Sequence, residues 1–340
     1  MTRALVDVDA TTGREGPTGA LVADFLRRAG GFDEIAVWPV EAGRDNIFAR
    51  RGTPRVVMST HLDTVPPFFP SREDAEHIHG RGSCDAKGIC AAMCFAALAL
   101  AEQGVSDFGL LFVVGEERNS AGALAANLCA PAVPGARYLI NGEPTEGKLI
   151  RAGKGVLRLN ITAQGRAAHS AYPELGESAI EKLLAALARL RRIPLPEDRL
   201  LGATTLNLGT ISGGRAPNVI ADQAQAELMF RTVTDTTRLR AAIAAALTEE
   251  VEFRYVLEIP PVRLATVAGY PTAARVAFGT DVPQLGNWGT PLLYGPGSIH
   301  LAHTPEERIS KAELVAAVGV YAGLTRDLLA EKGVQSPPSD

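Results

Sequence analysis

The chain has 340 residues, with 34 basic and 38 acidic side chains, so its net charge at neutral pH is −4. That balance, without a concentrated basic stretch, argues against a nucleic acid or an anionic membrane as the partner. The length exceeds the usual size of one hydrophobic core and therefore predicts two domains. No run of about 18 apolar residues occurs, which predicts no membrane span.

The four cysteines, at positions 84, 90, 94 and 129, show neither a disulfide framework nor the spacing of a zinc ribbon. Cys90 and Cys94 lie four residues apart in a stretch rich in Ala and Leu, which predicts buried core thiols. The N-terminus shows no signal-peptide pattern. Together these features predict a reducing, cytoplasmic compartment.

The first 150 residues alternate between predicted strands and helices, which is the pattern of an α/β domain. A TGREG turn at 12–16 precedes an amphipathic helix predicted over 20–28. The wholly apolar runs at 55–60 and 108–115 are typical of buried parallel strands, and the apolar segment 89–102 predicts a buried helix. The other elements predicted in this half are strands at 35–40, 46–50 and 138–142 and a helix at 121–128.

Side chains of the kinds that bind metals follow three of these strands. They are His61 and Asp63 after the strand 55–60, Glu116 and Glu117 after the strand 108–115, and Glu143 after the strand 138–142. In open α/β sheets, sites form at the carboxyl ends of the strands. We therefore expect these side chains to meet at one edge, together with Asp85 from a glycine-rich turn.

A second pattern begins at about residue 154, where polar and apolar residues alternate as in a sheet with one solvated face. The predicted order is strand 156–164, helix 177–192, strands 203–211 and 219–233, helix 235–250 and strand 251–259. This β-α-β-β-α-β order is the split ferredoxin-like pattern. A last helix is predicted over 310–330, and the tail 333–340 is predicted to be disordered.

The fold prediction is an α/β protein with a mixed-sheet main domain and an inserted ferredoxin-like α+β domain, termed the lid. The main domain is discontinuous and comprises 1–153 and 264–340, and the lid comprises 154–263.

The polar residues at the strand ends suit a site for two divalent metals. Two such ions about 3.5–4 Å apart can share a water, lower its pKa and stabilise the oxyanion formed when it attacks a carbonyl. The candidate ligands are His61, Asp85, Glu117, Glu143 and His303. Glu116 is the spare acid, which points away from Glu117 if both lie on one extended segment. Asp63 is placed to accept the other imidazole N–H of His61.

Five ordered motifs resemble the di-zinc amidohydrolase family of acetylornithine deacetylase, succinyl-diaminopimelate desuccinylase, aminoacylase and glutamate carboxypeptidase. They are STHLDTVP at 59–66, GRGSCDAKG at 80–88, GEE at 115–117, NGEPT at 141–145 and AHTPEE at 302–307. The resemblance covers nearly the whole chain. It implies two Zn²⁺ ions, replaceable by Co²⁺ or Mn²⁺. It also implies that His61 and Glu143 bind one metal, Glu117 and His303 bind the other, and Asp85 bridges them.

The resemblance further implies how the remaining site residues act. A hydroxide shared by the metals attacks an amide carbonyl, with Glu116 as the general base that later protonates the leaving amine and Asp63 supporting His61. In the motif AAHSAYP at 167–173, His169 either reaches a partner subunit's site and stabilises the oxyanion or remains a solvated lid residue. The first role implies a homodimer through the lid. The implied substrate contacts are Asn218, Arg231, Gly297 and Ser298, and the implied cis bond is Asp85–Ala86.

Within the family, the segments EPT at 143–145, GPGSI at 295–299 and TLNLGTISGG at 205–214 are most similar to the acetylornithine deacetylase branch. The implied reaction removes an N-acyl group from an α-amino acid, with N-acetylornithine, a substrate of arginine biosynthesis, or a close relative as the first expectation. A desuccinylase, a carboxypeptidase or a dipeptidase on the same site is the alternative. A non-catalytic scaffold would lack a ligand or the base, and the sequence lacks neither.

Other candidate ligands have structural interpretations. His300 is a rival of His303, although the AHTPE context favours His303. His77 and His79 lie in a polar turn and are interpreted as surface residues. Cys84 is a soft ligand type beside the bridging aspartate, but the site has enough ligands without it.

Overall fold

The computed structural model describes residues 1–338, which form two compact units. The first unit contains Met1–Arg151, Arg263–Ala274 and the chain from Thr280 onward. The second contains Ala152–Val262 and also the short segment Arg275–Gly279, which returns to it after the chain has left. The sequence boundaries of 154–263 did not include that return, because its contacts depend on tertiary packing and not on local pattern.

The first unit is built on a mixed six-stranded sheet. In spatial order, adjacent strands among the first three are antiparallel, and the third to the sixth strands run parallel to one another. The strand order is Glu34–Glu41, Arg44–Arg51, Phe108–Val113, Val56–His61, Tyr138–Asn141 and Thr290–Leu293. The two apolar strands predicted to be parallel, Val56–His61 and Phe108–Val113, are fully buried neighbours in its middle.

Helices cover this sheet and contribute most of its core. They are Thr2–Val6, Gly16–Ala29, Lys87–Glu102, Ala121–Cys129 and Lys311–Leu329. The helix Lys87–Glu102 is buried along most of its length, as its all-round apolar composition predicts, and Cys90 and Cys94 lie inside the core. The helix Gly16–Ala29 begins four residues earlier than predicted. A Cβ at Gly16 would lie 2.3 Å from the Gly43 carbonyl oxygen, so this start requires glycine.

The second unit is a four-stranded antiparallel sheet with two helices on one face. Its strands, in spatial order, are Thr205–Gly213, Gln223–Thr232, Gly155–Gln164 and Val251–Ile259. Leucine, isoleucine and alanine side chains of the strands pack against the helices Ala179–Leu190 and Thr237–Ala246. Along the chain these elements follow the predicted β-α-β-β-α-β order. The predicted fold class, a mixed α/β sheet with an inserted ferredoxin-like unit, is confirmed.

Short elements join these layers. The short strands are Arg72–Glu73, His77–His79, Leu149–Ile150, Ala152–Gly153, Glu197–Asp198, Gly202–Ala203, Val262–Arg263, Thr266–Val267, Thr272–Ala273, Arg308–Ser310 and Val334–Gln335, and the 3₁₀ helices are Ala130–Ala132, Pro173–Leu175 and Val282–Trp288. The strand Val334–Gln335 corrects the prediction of a disordered tail, because it pairs with Thr266–Val267. Residues 339 and 340 of that predicted tail lie outside the described residues. Among the helices of residues 1–338, none has the length and apolar composition needed to cross a membrane.

Candidate metal centre

The parallel strands deliver their polar ends to one edge of the sheet. Val56–His61 pairs with Phe108–Val113 on one side and with Tyr138–Asn141 on the other, and all three run in the same direction. Their carboxyl ends are therefore adjacent. His61 is the last residue of the central strand, and Glu143 follows the strand Tyr138–Asn141 by two residues. The expectation that the strand ends converge agrees with this geometry.

Two groups of metal-ligand atoms meet at this edge and share Asp85. In the first, His61 Nε2 lies 3.0 Å from Asp85 Oδ1 and 4.0 Å from Glu143 Oε2. In the second, His303 Nε2 lies 3.3 Å from Asp85 Oδ2 and 2.9 Å from Glu117 Oε1. Within each group all ligand atoms lie within 4.8 Å of one another. Because each oxygen of Asp85 faces a different histidine, this carboxylate stands between the two groups.

The electrostatics of these groups fit a site for cations. Burial raises the pKa values of Glu143 and Glu117. Glu143 Oε1 is buried without a hydrogen-bond partner within residues 1–338, so it is an acceptor in need of a positive group. A buried cluster of carboxylates this dense is costly unless cations compensate it. Imidazole and carboxylate donors are also the ligand types that zinc takes.

The two histidines are held by carboxylates in this arrangement. Hydrogen bonds from His303 to Asp85 and Glu117 raise the pKa of His303 to about 10. Burial lowers the pKa of His61, but its hydrogen bonds to Asp63 and Asp85 raise it well above the usual value. In the same way, burial raises the pKa of Asp85, and the bonds from both imidazoles hold it below its usual range. Each imidazole is therefore oriented by carboxylates, and a divalent cation can take the place of the imidazole proton that faces them.

Asp63 connects three parts of this edge. Its Oδ1 accepts the N–H of Glu116 at 3.0 Å, and its Oδ2 accepts the N–H of Glu117 at 3.2 Å and the hydroxyl of Thr12 at 2.7 Å. His61 Nδ1 lies 3.0 Å from the Asp63 carbonyl oxygen and 3.5 Å from Oδ1. The shorter of the two contacts is to the Asp63 backbone, and the role of the Asp63 side chain in fixing the His61 tautomer stays a prediction. The side chain chiefly anchors the segment that carries the two glutamates.

Glu116 and Glu117 occupy a turn, which corrects the prediction of an extended segment. The backbone N–H groups of Asn119 and Ser120 donate to the Gly115 carbonyl, so the chain reverses here. The turn, and not strand alternation, separates the two carboxylates. Burial and the neighbouring charge of Glu143 raise the pKa of Glu116 well above its usual value. Within residues 1–338 its carboxylate accepts no hydrogen bond, whereas Glu117 is bound by His303.

The other side chains considered as metal ligands make different contacts. His300 is exposed and its backbone N–H donates to Ser298 Oγ. His77 and His79 both face Asp74, and His79 Nε2 is 2.7 Å from it. Cys84 is buried, its Sγ donates to the Ser298 carbonyl at 3.6 Å, and burial raises its thiol pKa well above the usual value. None of these side chains belongs to either group of ligand atoms among the described residues.

The predicted substrate residues are divided between the units. Gly297 and Ser298 belong to the first unit, where a Cβ at Gly297 would lie 2.6 Å from Cys84 Sγ and the Ser298 hydroxyl donates to Glu146. The other two, Asn218 and Arg231, belong to the second unit, as does His169, for which oxyanion stabilisation was predicted. His169 is exposed, forms a β-bridge with Val219, and its Nδ1 accepts the N–H of Ala171.

Two further acidic residues of the first unit were not predicted from the sequence. Glu307 is buried and accepts three backbone N–H groups around Asp85, although it resembles a surface acid beside Glu306 in the sequence. Asp281 is also buried, and neither of its oxygens has a hydrogen-bond partner of ordinary geometry within residues 1–338. Burial raises the pKa of Asp281 to about 7. The AHTPEE motif could have indicated Glu307, but no local signal marks Asp281.

Comparisons with known proteins agree with this architecture. A model of the peptidase dimerisation domain matches residues 151–254. The chain is 39% identical to a peptidase M20 domain-containing protein of Schizosaccharomyces pombe, over 94% of this chain and 82% of that protein. It is also 39% identical to a protein of Neosartorya fischeri named "Probable carboxypeptidase", over 96% of this chain and 85% of that protein.

Two solved structures share the fold. A metallo-carboxypeptidase of the M20 family from Sulfolobus solfataricus superimposes with a TM-score of 0.77 at 14% identity, covering 96% of this chain and 97% of that one. A dinuclear metal-binding M20 peptidase from Bacillus subtilis gives a TM-score of 0.69 at 19% identity, covering 97% of both chains. Because the match to the Schizosaccharomyces pombe relative extends over nearly the whole chain, the chain belongs to the M20 metallopeptidase family and carries its dimerisation domain.

Proposed function

We propose that this metallopeptidase hydrolyses amide bonds whose leaving group is an amino acid, as in the substrates of a carboxypeptidase or dipeptidase. The observation that carries the proposal is the junction of two histidine–carboxylate groups at Asp85, beside the uncommitted carboxylate of Glu116. The name of the Neosartorya fischeri relative supports the same reaction class.

In this proposal the two groups are the ligand sets. His61 and Glu143 would hold one divalent ion, Glu117 and His303 would hold the other, and Asp85 would be shared by both. Zn²⁺ suits imidazole and carboxylate ligands, and Co²⁺ or Mn²⁺ can substitute for it. When bound, the two ions lower the pKa of a shared water and stabilise negative charge on the amide oxygen.

Glu116 acts as the general base in this proposal. Its carboxylate takes a proton from the attacking water and gives it to the amine nitrogen as the C–N bond breaks. Burial favours this role, because it raises the pKa of Glu116 toward the pH at which proton uptake and release are both accessible. Asp63 fixes the backbone of the base, because the N–H of Glu116 donates to the Asp63 carboxylate. The proton therefore passes from the water to the amine through a carboxylate whose backbone is fixed.

The second unit is proposed to recognise the substrate and to form a homodimer. Arg231 and Asn218 would bind the carboxylate of the amino-acid leaving group, since a guanidinium binds carboxylates in bidentate geometry. His169 would stabilise the amide oxygen in a partner subunit. The matched dimerisation domain supports this assembly, as does the edge strand Thr205–Gly213, whose Ile211 is 50% exposed.

Sedimentation tests the proposed assembly. The wild type is expected to sediment as a dimer at micromolar concentration. If the interface uses the edge strand Thr205–Gly213, Ile211→Glu weakens the dimer, because it places a charge in an apolar contact. The matched control is Phe253→Glu on the opposite edge strand, where Phe253 is 36% exposed. A monomeric wild type, or equal weakening by both variants, contradicts the proposed interface.

N-acetylornithine deacetylation is the second candidate, and it uses the same chemistry because its leaving amine is also an amino acid. It is favoured by the pairing of the segments EPT and GPGSI, which carry the motifs of the acetylornithine deacetylase branch. Thr145 forms a β-bridge with Ser298, and the N–H groups of Thr145 and Gly147 donate to the Gly295 carbonyl. This pairing fixes the backbone next to Glu143.

A substrate panel with metal analysis on the same sample tests the function. Dipeptides, N-acetylornithine and N-succinyl-diaminopimelate are supplied to protein loaded with zinc, and release of the free amino acid is measured. We expect turnover of dipeptides and two zinc ions per chain. Faster turnover of N-acetylornithine than of any dipeptide selects the second candidate. Two bound ions with no hydrolysis of any of these amides contradict the proposal.

The cytoplasmic location remains part of the proposal and is supported by the four free cysteines, three of which are buried. Thiols in this state suit a reducing compartment. Fractionation of the source cells checks it, and recovery of the enzyme outside the cytoplasm contradicts it.

A further inference from the structure

Glu307 binds the turn that carries Asp85 through hydrogen bonds. One of its carboxylate oxygens, Oε1, accepts the backbone N–H groups of Gly82, Cys84 and Asp85 at 2.9, 3.2 and 3.1 Å. The other oxygen, Oε2, accepts a hydrogen bond from Arg81 Nη1 at 2.5 Å. The Glu307 side chain is fully buried and that of Arg81 nearly so. Both oxygens are therefore committed, and no water is needed to satisfy them.

Glu307 is itself firmly held. Its carbonyl oxygen accepts the N–H of Gly80, and the strand Arg308–Ser310 that follows it pairs with His77–His79. The guanidinium of Arg81 donates from Nε to the Pro67 carbonyl and lies 4.9 Å from the centre of the Phe69 ring. The carboxylate thus projects from a fixed backbone, beside a cation that is fixed as well.

We propose that Glu307 is a positioning residue of the metal centre, which sets the distance between Asp85 and His303 before any ion binds. Glu307 follows His303 by only four residues, and it holds the Asp85 N–H directly. A single carboxylate thereby joins the segment of one ligand to the turn of another, and Asp85 Oδ2 stays 3.3 Å from His303 Nε2. The inference rests on the ligand set proposed above.

A glutamine cannot perform this task, although it has the same shape. If its oxygen accepts the three N–H groups, its NH₂ group faces the Arg81 guanidinium, which only donates. If its oxygen faces Arg81, its NH₂ group faces the three backbone donors. In either orientation the buried NH₂ group of the glutamine faces another hydrogen-bond donor, so the turn must shift. The requirement is thus for two acceptor oxygens, which a carboxylate alone supplies here.

The test compares Glu307→Gln with Glu306→Gln, an exposed neighbour with the same change in net charge. Metal-free protein is titrated with Co²⁺, and absorption spectra report each equivalent bound. We expect two tight equivalents for the wild type and for Glu306→Gln. For Glu307→Gln we expect at least one equivalent to bind about 10–100-fold more weakly, the usual effect of removing a group that orients a ligand. We also expect kcat to fall more than KM changes.

Amide hydrogen exchange on metal-free wild type keeps the inference testable if the variant does not fold. The N–H groups of Gly82, Cys84 and Asp85 are expected to be protected without metal, because Glu307 already binds them. Unprotected amides that become protected only on adding Co²⁺ overturn the inference, as does a folded Glu307→Gln protein with both Co²⁺ affinities unchanged. A wild type that binds fewer than two Co²⁺ ions overturns the proposed ligand set instead.

Discussion

Replacing Asp63 by Asn tests whether this side chain holds the two glutamates in place. Asp63 is fully buried, and its two oxygens accept the N–H groups of Glu116 and Glu117 and the hydroxyl of Thr12. An asparagine keeps the shape but turns one oxygen into an NH₂ group. Thr12 can rotate its hydroxyl to accept from that group, whereas a backbone N–H cannot reverse its role.

The expected loss in the free energy of unfolding follows from the number of acceptors that the substitution removes. In either orientation of the amide, one of the two backbone N–H groups loses its acceptor and the other donates to a neutral oxygen instead of an anion. A buried donor without a partner costs about 1–3 kcal/mol, and the loss of charge adds to that. We expect the free energy of unfolding to fall by about 2–4 kcal/mol. Turnover should fall about 10–100-fold, since Glu116 and Glu117 both lose their anchor.

Denaturant unfolding and hydrolysis of the best panel substrate measure these effects on zinc-loaded protein. The matched control is Asp9→Asn. Asp9 also accepts a backbone N–H and a hydroxyl, both from Thr11, but its side chain is 29% exposed, so water can replace the lost acceptor. The control should change stability by less than about 1 kcal/mol. If Asp63→Asn keeps turnover within twofold of the wild type, Asp63 does not anchor the base.

Three further outcomes can be measured on the same material. Glu116→Gln should bind two zinc ions as the wild type does, yet lose about 10²–10⁴-fold in kcat, because it removes the proton carrier and no proposed ligand; wild-type turnover would exclude Glu116 as the base. Removal of zinc with a chelator should abolish hydrolysis, and added zinc should restore it; activity that survives complete removal would refute a metal-dependent reaction. Asp281→Asn should stabilise the metal-free protein at pH 8 by up to about 4 kcal/mol in denaturant unfolding, because burial raises the pKa of Asp281 to about 7 from its usual 3.8 and each pKa unit is worth about 1.4 kcal/mol. The folded state keeps a proton that the unfolded state releases, so wild-type stability from this group falls as pH rises from about 4 to 7; a gain that does not shrink below pH 7 would contradict the raised pKa.

The local patterns of the sequence predicted the elements that build the sheet edge. The apolar runs ending at His61 and Val113 have no polar alternation, so they had to be strands buried on both faces. The period-two pattern after residue 154 likewise marked a sheet with one open face. Such patterns record which faces are buried, and burial is set by the side chains in the segment itself. For that reason the fold class and the order of the elements could be predicted from the sequence alone.

Contacts between segments far apart in the sequence could be predicted only where a family motif contained the residues concerned. His303 and Glu117 are 186 residues apart, and spacing along the chain gives no reason to join them. The ligand candidates came from residue type and from family resemblance, and the structure then brought them together. Glu307 is 222 residues from Asp85, and its role depends on backbone N–H directions, which residue types do not encode.

By itself, the sequence determined the strands, the inserted unit and the kinds of side chain at the strand ends, because hydrophobic periodicity and residue chemistry are local properties. The tertiary structure alone decided which oxygen of Asp85 faces which histidine, that Glu116 and Glu117 separate by a turn, and that Asp63 binds backbone more than imidazole. It also decided that Glu307 and Asp281 are buried beside the site. These outcomes depend on hydrogen-bond directions and on packing between segments far apart in the chain, and the pattern of any single segment contains neither.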